Sequence, residues 1–255
     1  MKSVFICTLL FTSVVMAEIT HLERGILLYG KRADNAKGLK ADTQLIDQSI
    51  TELLKAYKIP EDKLDAGIYL LRCYYYKGKF ISDSDEKKKD MFNKGKSLGE
   101  KMIALYPRSA AVYYWYLVNL GSWSEIYGIL AAAKEGVANT MQEYAKKIID
   151  IDSTYSDGGG YFMLGAVHLK SPYIPFILSW PNDEKALKYL LLAYNTGDAT
   201  PNQTVYLARA FYANDQKEKA ISLLTSLLGQ DISESYKLED IDQHKVAKEQ
   251  LNDWK

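Results

Sequence analysis

The chain has 255 residues with 32 basic and 32 acidic side chains, a balance that argues against a nucleic-acid binder, which carries a basic stripe. Its two cysteines exclude a disulfide-stapled scaffold. Twenty tyrosines suit the spaces between helices, where a ring fills volume and the hydroxyl stays free for solvent or a ligand.

Met1-Lys2-Ser3 precedes an apolar run from Val4 to Met16, and Val15-Met16-Ala17 ends it with small residues. This is the pattern of a secretory signal peptide cleaved after Ala17, the alternative being an uncleaved N-terminal anchor. The run is shorter than the roughly 20 residues of a membrane-spanning helix. Cys7 falls too early in the run to be a lipidation site. The expected mature chain, 18–255, forms a single domain without a transmembrane span and loses Lys2, leaving a net charge of −1. One thiol, Cys73, remains in the apolar run Leu70-Leu71-Arg72-Cys73-Tyr74, where a buried structural role is expected. An exported chain with a lone thiol fits a bacterial periplasm.

Nearly every later segment has helical periodicity. Residues 20–37 and Leu45 to Tyr57 read as two helices, the second stopped by Ile59-Pro60. Asp62 to Tyr76 forms a third. A fourth starts near Ser84, with acids first and lysines after, and ends at Tyr106-Pro107. Ser109 caps a fifth, carrying Val112, Tyr113, Trp115, Tyr116 and Leu120, and Gly121-Ser122-Trp123 follows it. Small apolar residues at 124–133 lead to a long helix from Lys134 to Ile151. Gly158-Gly159-Gly160 is the strongest predicted break in the chain.

The last third holds two tandem helical hairpins between Gly160 and Leu228. In the second, Leu207-Ala208, Phe211, Ala220, Leu224 and Leu227 have the spacing of tetratricopeptide-repeat packing positions, with Ala208 and Ala220 12 positions apart. Ala186, Leu190 and Ala193 repeat the offsets of Ala220, Leu224 and Leu227. Gly165 matches Ala208, yet lies 21 positions before Ala186, so this hairpin carries nine extra residues. They fall in Ser171-Pro172-Tyr173-Ile174-Pro175-Phe176-Ile177-Leu178-Ser179-Trp180-Pro181. Asn182 and Thr200-Pro201 cap the helices that follow. A polar helix at about 234–252 is expected to close the stack as a terminal cap. The fold class is therefore all-α, a tetratricopeptide-like solenoid of about four hairpins with flanking helices.

Residues 109–228 resemble the T-component family of tripartite ATP-independent periplasmic (TRAP) transporters. The resemblance rests on Ala111-x-x-Tyr114-Trp115-x-x-x-Asn119-Leu120-Gly121, Tyr155-x-x-Gly158-Gly159, Leu164-Gly165, Pro172 or Pro175, and Lys185-Ala186-Leu187. It implies a periplasmic helical protein that docks other envelope proteins, including a substrate-binding subunit. Ser179-Trp180-Pro181-Asn182-Asp183 departs from that family's glycine pair and acid, and its usual lipidation cysteine is absent. The Pro-aromatic-Pro insert is more weakly similar to the regulator-of-microtubule-dynamics repeat proteins, whose cellular role the bacterial-type leader argues against.

Motifs for chemistry fail on inspection. Gly95-Lys96-Ser97 lacks the earlier glycine of a phosphate loop, since Asp90 stands there, and Met163 breaks the dinucleotide pattern begun by Gly158-x-Gly160. His21, His168 and His244 are far apart, and no Gly-x-Ser-x-Gly elbow occurs. No enzymatic activity, cofactor or metal is expected. The candidate interaction residues are Tyr173, Phe176 and Trp180 of the insert, side-chain types that dominate binding interfaces. Tyr113, Tyr114 and Asn119 are candidates for an adjoining groove, and His168 for a core or groove position. The bland alternatives are an insert packed as extra core and aromatic residues that only hold helices together. The expected function is a periplasmic scaffold for protein partners that allows a homo-oligomer. The alternative is a binder of a small hydrophobic ligand beneath residues 172–181.

Overall fold

The computed structural model describes residues 19–174, 176 and 178–254, so the expected signal peptide lies outside the described residues. Twelve helices are present among them: α1 (His21–Gly30), α2 (Thr43–Ala56), α3 (Lys63–Phe80), α4 (Asp85–Leu105), α5 (Ala110–Tyr127), α6 (Ile129–Lys134), α7 (Val137–Ile151), α8 (Tyr155–Lys170), α9 (Asp183–Tyr194), α10 (Pro201–Ala213), α11 (Lys217–Leu227) and α12 (Lys237–Asp253). The pairs α1/α2, α3/α4, α5/α7, α8/α9 and α10/α11 are five hairpins stacked in series. The first helices α1, α3, α5, α8 and α10 lie side by side, and each second helix packs onto the next hairpin. This is a solenoid, in which each unit buries its apolar face only against its neighbours.

Capping side chains set many of the boundaries. Thr20 with Glu23 and Thr200 with Gln203 form reciprocal capping boxes, and Pro201 occupies the first turn of α10. Ser84, Ser109 and Asn182 each accept a backbone N–H three residues on, which begins α4, α5 and α9 where expected.

The small-residue positions are where the helices press together. Ala208 and Ala220 are wholly buried with Leu224 and Leu227. A Cβ on Gly165 would stand 2.6 Å from Leu190 Cγ and 3.1 Å from the Ala186 carbonyl oxygen, so the inferred partnership of Gly165 with Ala186 holds in space. Gly25 fits against Leu53 of α2, Gly160 against Ile149 of α7, and Gly95 against Asn119 of α5.

Four expectations need correction. The first two helices pair with each other, which makes five hairpins where about four were expected. Gly121 does not end α5, which runs on to Tyr127 because Trp123 is buried in the core beside Tyr127. The triple glycine is a break only at its first residue. Ser156, Asp157 and Gly158 take the left-handed region (φ 53°, 54° and 78°), and Gly159 and Gly160 are already inside the α8 helix, bare because the Tyr114 ring and Ile149 approach them. Finally, α12 packs on α10 and α11 as a cap would, but Leu238 is buried in the core of the first two hairpins with Tyr29, Leu70 and Tyr76.

Cys73 is fully buried, 3.5 Å from the Ser49 hydroxyl, and burial pushes its thiol up to about 12, partly offset by that hydroxyl. We expect no reaction of Cys73 with a thiol reagent in the native protein and full reaction in guanidinium. Gly165→Val is expected to destabilise the fold by about 1–3 kcal/mol through overpacking. Gly30→Ala, where an added Cβ meets open space, is expected to stabilise by about 0.4–1 kcal/mol. Urea denaturation of both variants checks the contrast.

Candidate interaction surface

The insert after α8 is a small prong. Ile174 and Leu178 exchange both backbone hydrogen bonds, at 2.9 and 2.8 Å. Phe176 at its tip is fully exposed and takes φ 65°, a left-handed conformation that bulky residues rarely adopt. Tyr173 is also exposed. Trp180, at the root, behaves oppositely. Its indole N–H donates to Asn139 Oδ1 of α7 at 2.9 Å, and its ring meets His168 edge-on at 4.9 Å.

His168 is the floor of this root. It is 4% exposed and its other face stacks on Tyr189 of α9 at 5.8 Å. Burial lowers its pKa to about 4, helped by Lys185 and Lys146. It is therefore a neutral ring that holds Trp180. Beside the prong, Lys170 pairs with Glu125 and ties the end of α8 to α5. Gly128 then ends α5, and α6 carries exposed Ile129 and Leu130. The connections of the third and fourth hairpins thus gather four exposed apolar side chains at one end of the solenoid.

The other candidates do not join them. Tyr113 is buried inside its own hairpin, edge-on to Tyr144 of α7 at 5.0 Å. Asn119 is 0% exposed; its amide donates to the carbonyl oxygens of Leu71 at 3.0 Å and Trp115 at 2.9 Å, which ties α3 to α5. Both are corrected from groove-lining to structural residues, because helix–helix packing claims those faces. Tyr114 does lie on the row of first helices, between Trp115 at 5.5 Å and Tyr155 at 5.6 Å.

That row carries the surface which the sequence reading missed. Arg72 of α3 lies 4.9 Å from each of the rings of Tyr29, Tyr69 and Trp115. Arg32, just past α1 and 3% exposed, stacks over Tyr29 at 4.4 Å and reaches Tyr236 at 5.6 Å. Its Nη2 donates to Glu239 Oε1 and to the Ser235 carbonyl, both at 2.7 Å. Lys79 pairs with Asp242 at 3.2 Å. The only local sign of this lattice is that Tyr69, Arg72 and Tyr76 share one helical face; their partners lie far along the chain. Among the described residues no cluster of acidic, histidine or cysteine side chains could hold a metal ion, and no helix is long and apolar enough to cross a membrane.

The depressed pKa of His168 has a consequence for stability. Above about pH 6.5 the ring is neutral in both folded and unfolded chains. As pH falls from there to about 4, the unfolded chain binds a proton that the folded chain refuses, so stability falls, by at most about 1.4 kcal/mol per pH unit from this group. Chemical denaturation across this range is expected to show that His168→Phe removes part of the slope.

The comparisons with known proteins agree on the architecture. A solved thermophilic TPR protein of Thermus thermophilus superimposes with a TM-score of 0.59 at 17% identity, covering 89% of this chain and 97% of that one. At that identity the likeness shows the fold, a tetratricopeptide-like helical repeat, and nothing of the activity. No curated protein matches the chain. The sequence model of the family described as regulator of microtubule dynamics protein 1-3 matches residues 33–170, from the end of α1 to the end of α8, and stops just before the prong. With more than half of its length in that match, the chain belongs to the regulator of microtubule dynamics protein 1-3 family.

Proposed function

We propose that the protein is an exported scaffold without catalytic activity that binds other envelope proteins through the aromatic prong. The observation that carries this is the contrast within the insert. Trp180 is fixed by Asn139 and His168, while Tyr173 and Phe176 project into solvent. A held root lowers the ordering cost of presenting two aromatic side chains, the arrangement that concentrates binding energy in a few residues. Exposed Ile129 and Leu130 of α6 extend the same surface.

The finer reading places this scaffold in the periplasm, beside a substrate-binding subunit of a TRAP-type transporter. The N-terminal pattern ending at Ala17 supports export, and the T-component-like motifs between Ala111 and Leu187 support that partner. The family's printed description names regulation of microtubule dynamics and no export. The alternative of a hydrophobic ligand roofed by the insert has less support, because only Trp180 of its three aromatic residues packs back onto the helices.

Crosslinking in the native envelope, followed by capture and mass identification, tests the reading. Wild-type protein is expected to retain a substrate-binding subunit, and the Tyr173→Ser/Phe176→Ser double variant to lose at least tenfold of it. The unfolding midpoint should barely move, since surface changes of this kind cost within about 0.5 kcal/mol. Equal capture by the variant would remove the prong from the interface. The mature N-terminus is expected at Glu18, and an intact Met1 on envelope protein would overturn cleavage.

A further inference from the structure

The face formed by α1 and α3 already holds the start of a helix, and that helix is the end of the chain itself. Eight of the 17 residues of α12 are charged. Its C-terminal half is anchored on the last hairpin by Ala247 and Leu251. Its N-terminal half crosses to the first hairpins, where Leu238 and Ile241 enter the apolar cluster around Tyr29 and Tyr76. The stretch from Gly229 to Tyr236 that joins α11 to α12 is not helical.

The groove is cationic and the seated helix is acidic. Glu239 faces Arg32 at 2.7 Å and Asp242 faces Lys79 at 3.2 Å. The match is incomplete. Among the described residues no carboxylate pairs with Arg72, whose buried Nε has no hydrogen-bond partner, and Glu239 Oε2 and His244 Nε2 are likewise buried and unpartnered. Unsatisfied buried polar groups lower the stability of this seat, because each has given up water without gaining a partner.

We propose that the N-terminal half of α12 is a releasable intramolecular occupant, and that the groove it covers binds a helix of a partner protein with the same chemistry. That helix carries two aliphatic–carboxylate pairs one turn apart, as Leu238-Glu239 and Ile241-Asp242 do, and a further carboxylate for Arg72. The groove is separate from the prong, so it adds a gated surface to one that is always open. Such a partner wins the seat by differential affinity alone, as a population shift requires.

The test uses the full chain and a fluorescein-labelled synthetic peptide of residues 231–254. Charge reversal by Glu239→Lys/Asp242→Lys places cations against Arg32 and Lys79 and is expected to release the helix. The peptide should then bind at least tenfold more tightly than to wild type, and raised salt should weaken it. A variant that keeps its helicity but binds the peptide no better overturns the proposal. Hydrogen exchange of the unmodified protein decides the matter if the variant unfolds. Amides of 238–244 are expected to exchange at least tenfold faster than those of α11 around Leu224, and equal protection overturns the proposal. Neither readout involves Tyr173 or Phe176, so failure here leaves the prong reading standing, and the reverse.

Discussion

Close approach between helices is the constraint on which the molecule depends. Two helices approach most closely where a side chain at the crossing is missing or is a methyl group. Gly165 under Leu190, Gly25 under Leu53 and the buried pair Ala208 and Ala220 meet that condition in three different hairpins. Once the crossings are fixed, the remaining large residues fill the wedges between hairpins and form core clusters in series, of which the central one holds Tyr116, Leu120, Ile148 and Leu164. The tyrosine-rich composition follows from the same geometry. A wedge wider than an aliphatic side chain takes a ring, as Tyr75 against Trp115 and Phe162 against Tyr206 illustrate.

Two surfaces escape this packing, and they differ in kind. The prong grows from a hairpin connection, where extra residues do not disturb the helix crossings, and its root is held by one hydrogen bond and one edge-on ring contact. The row of first helices is part of the solenoid itself and is shaped by its curvature. There, arginines stacked on tyrosines make a cationic, aromatic face, and the acidic start of α12 lies on it. The first surface offers apolar contact and the second charge, so the two suit partners of different chemistry.

Much of the fold was legible because helix period and small-residue spacing are local signals. The 12-position interval from Ala208 to Ala220 located one crossing, and the 21-position interval from Gly165 to Ala186 located both a second crossing and the insert between its helices. Ser84, Ser109, Asn182 and Thr200 marked helix starts because a cap needs only its neighbours. The glycine run marked a real break at Gly158 but misled at Gly159 and Gly160, for an equally physical reason. A glycine that breaks a helix and one that lets another chain come close look the same in one dimension, and the Tyr114 ring decided for the second at Gly159. The site was less legible. Aromatic residues in an insert are easy to see, but whether each packs or projects depends on what lies beneath it. His168 and Asn139 lie beneath Trp180, while Phe176 is fully exposed.

Family membership sharpens the point. The match covers 33–170, from α2 to α8, and leaves out the insert that had suggested the same family from its prolines and aromatics. The residues shared with the T-component pattern are packing residues, and packing residues recur wherever helices cross. Periodicity and caps along the chain set the class, the hairpins and the position of the insert, since each depends on residues within one or two turns. Only folding in three dimensions decided where α12 goes. Arg32 and Glu239 are 207 positions apart, and a helix's pattern tells which face it buries but not against what. That choice belongs to the curvature of the whole solenoid, which brings its first hairpin within reach of its last helix.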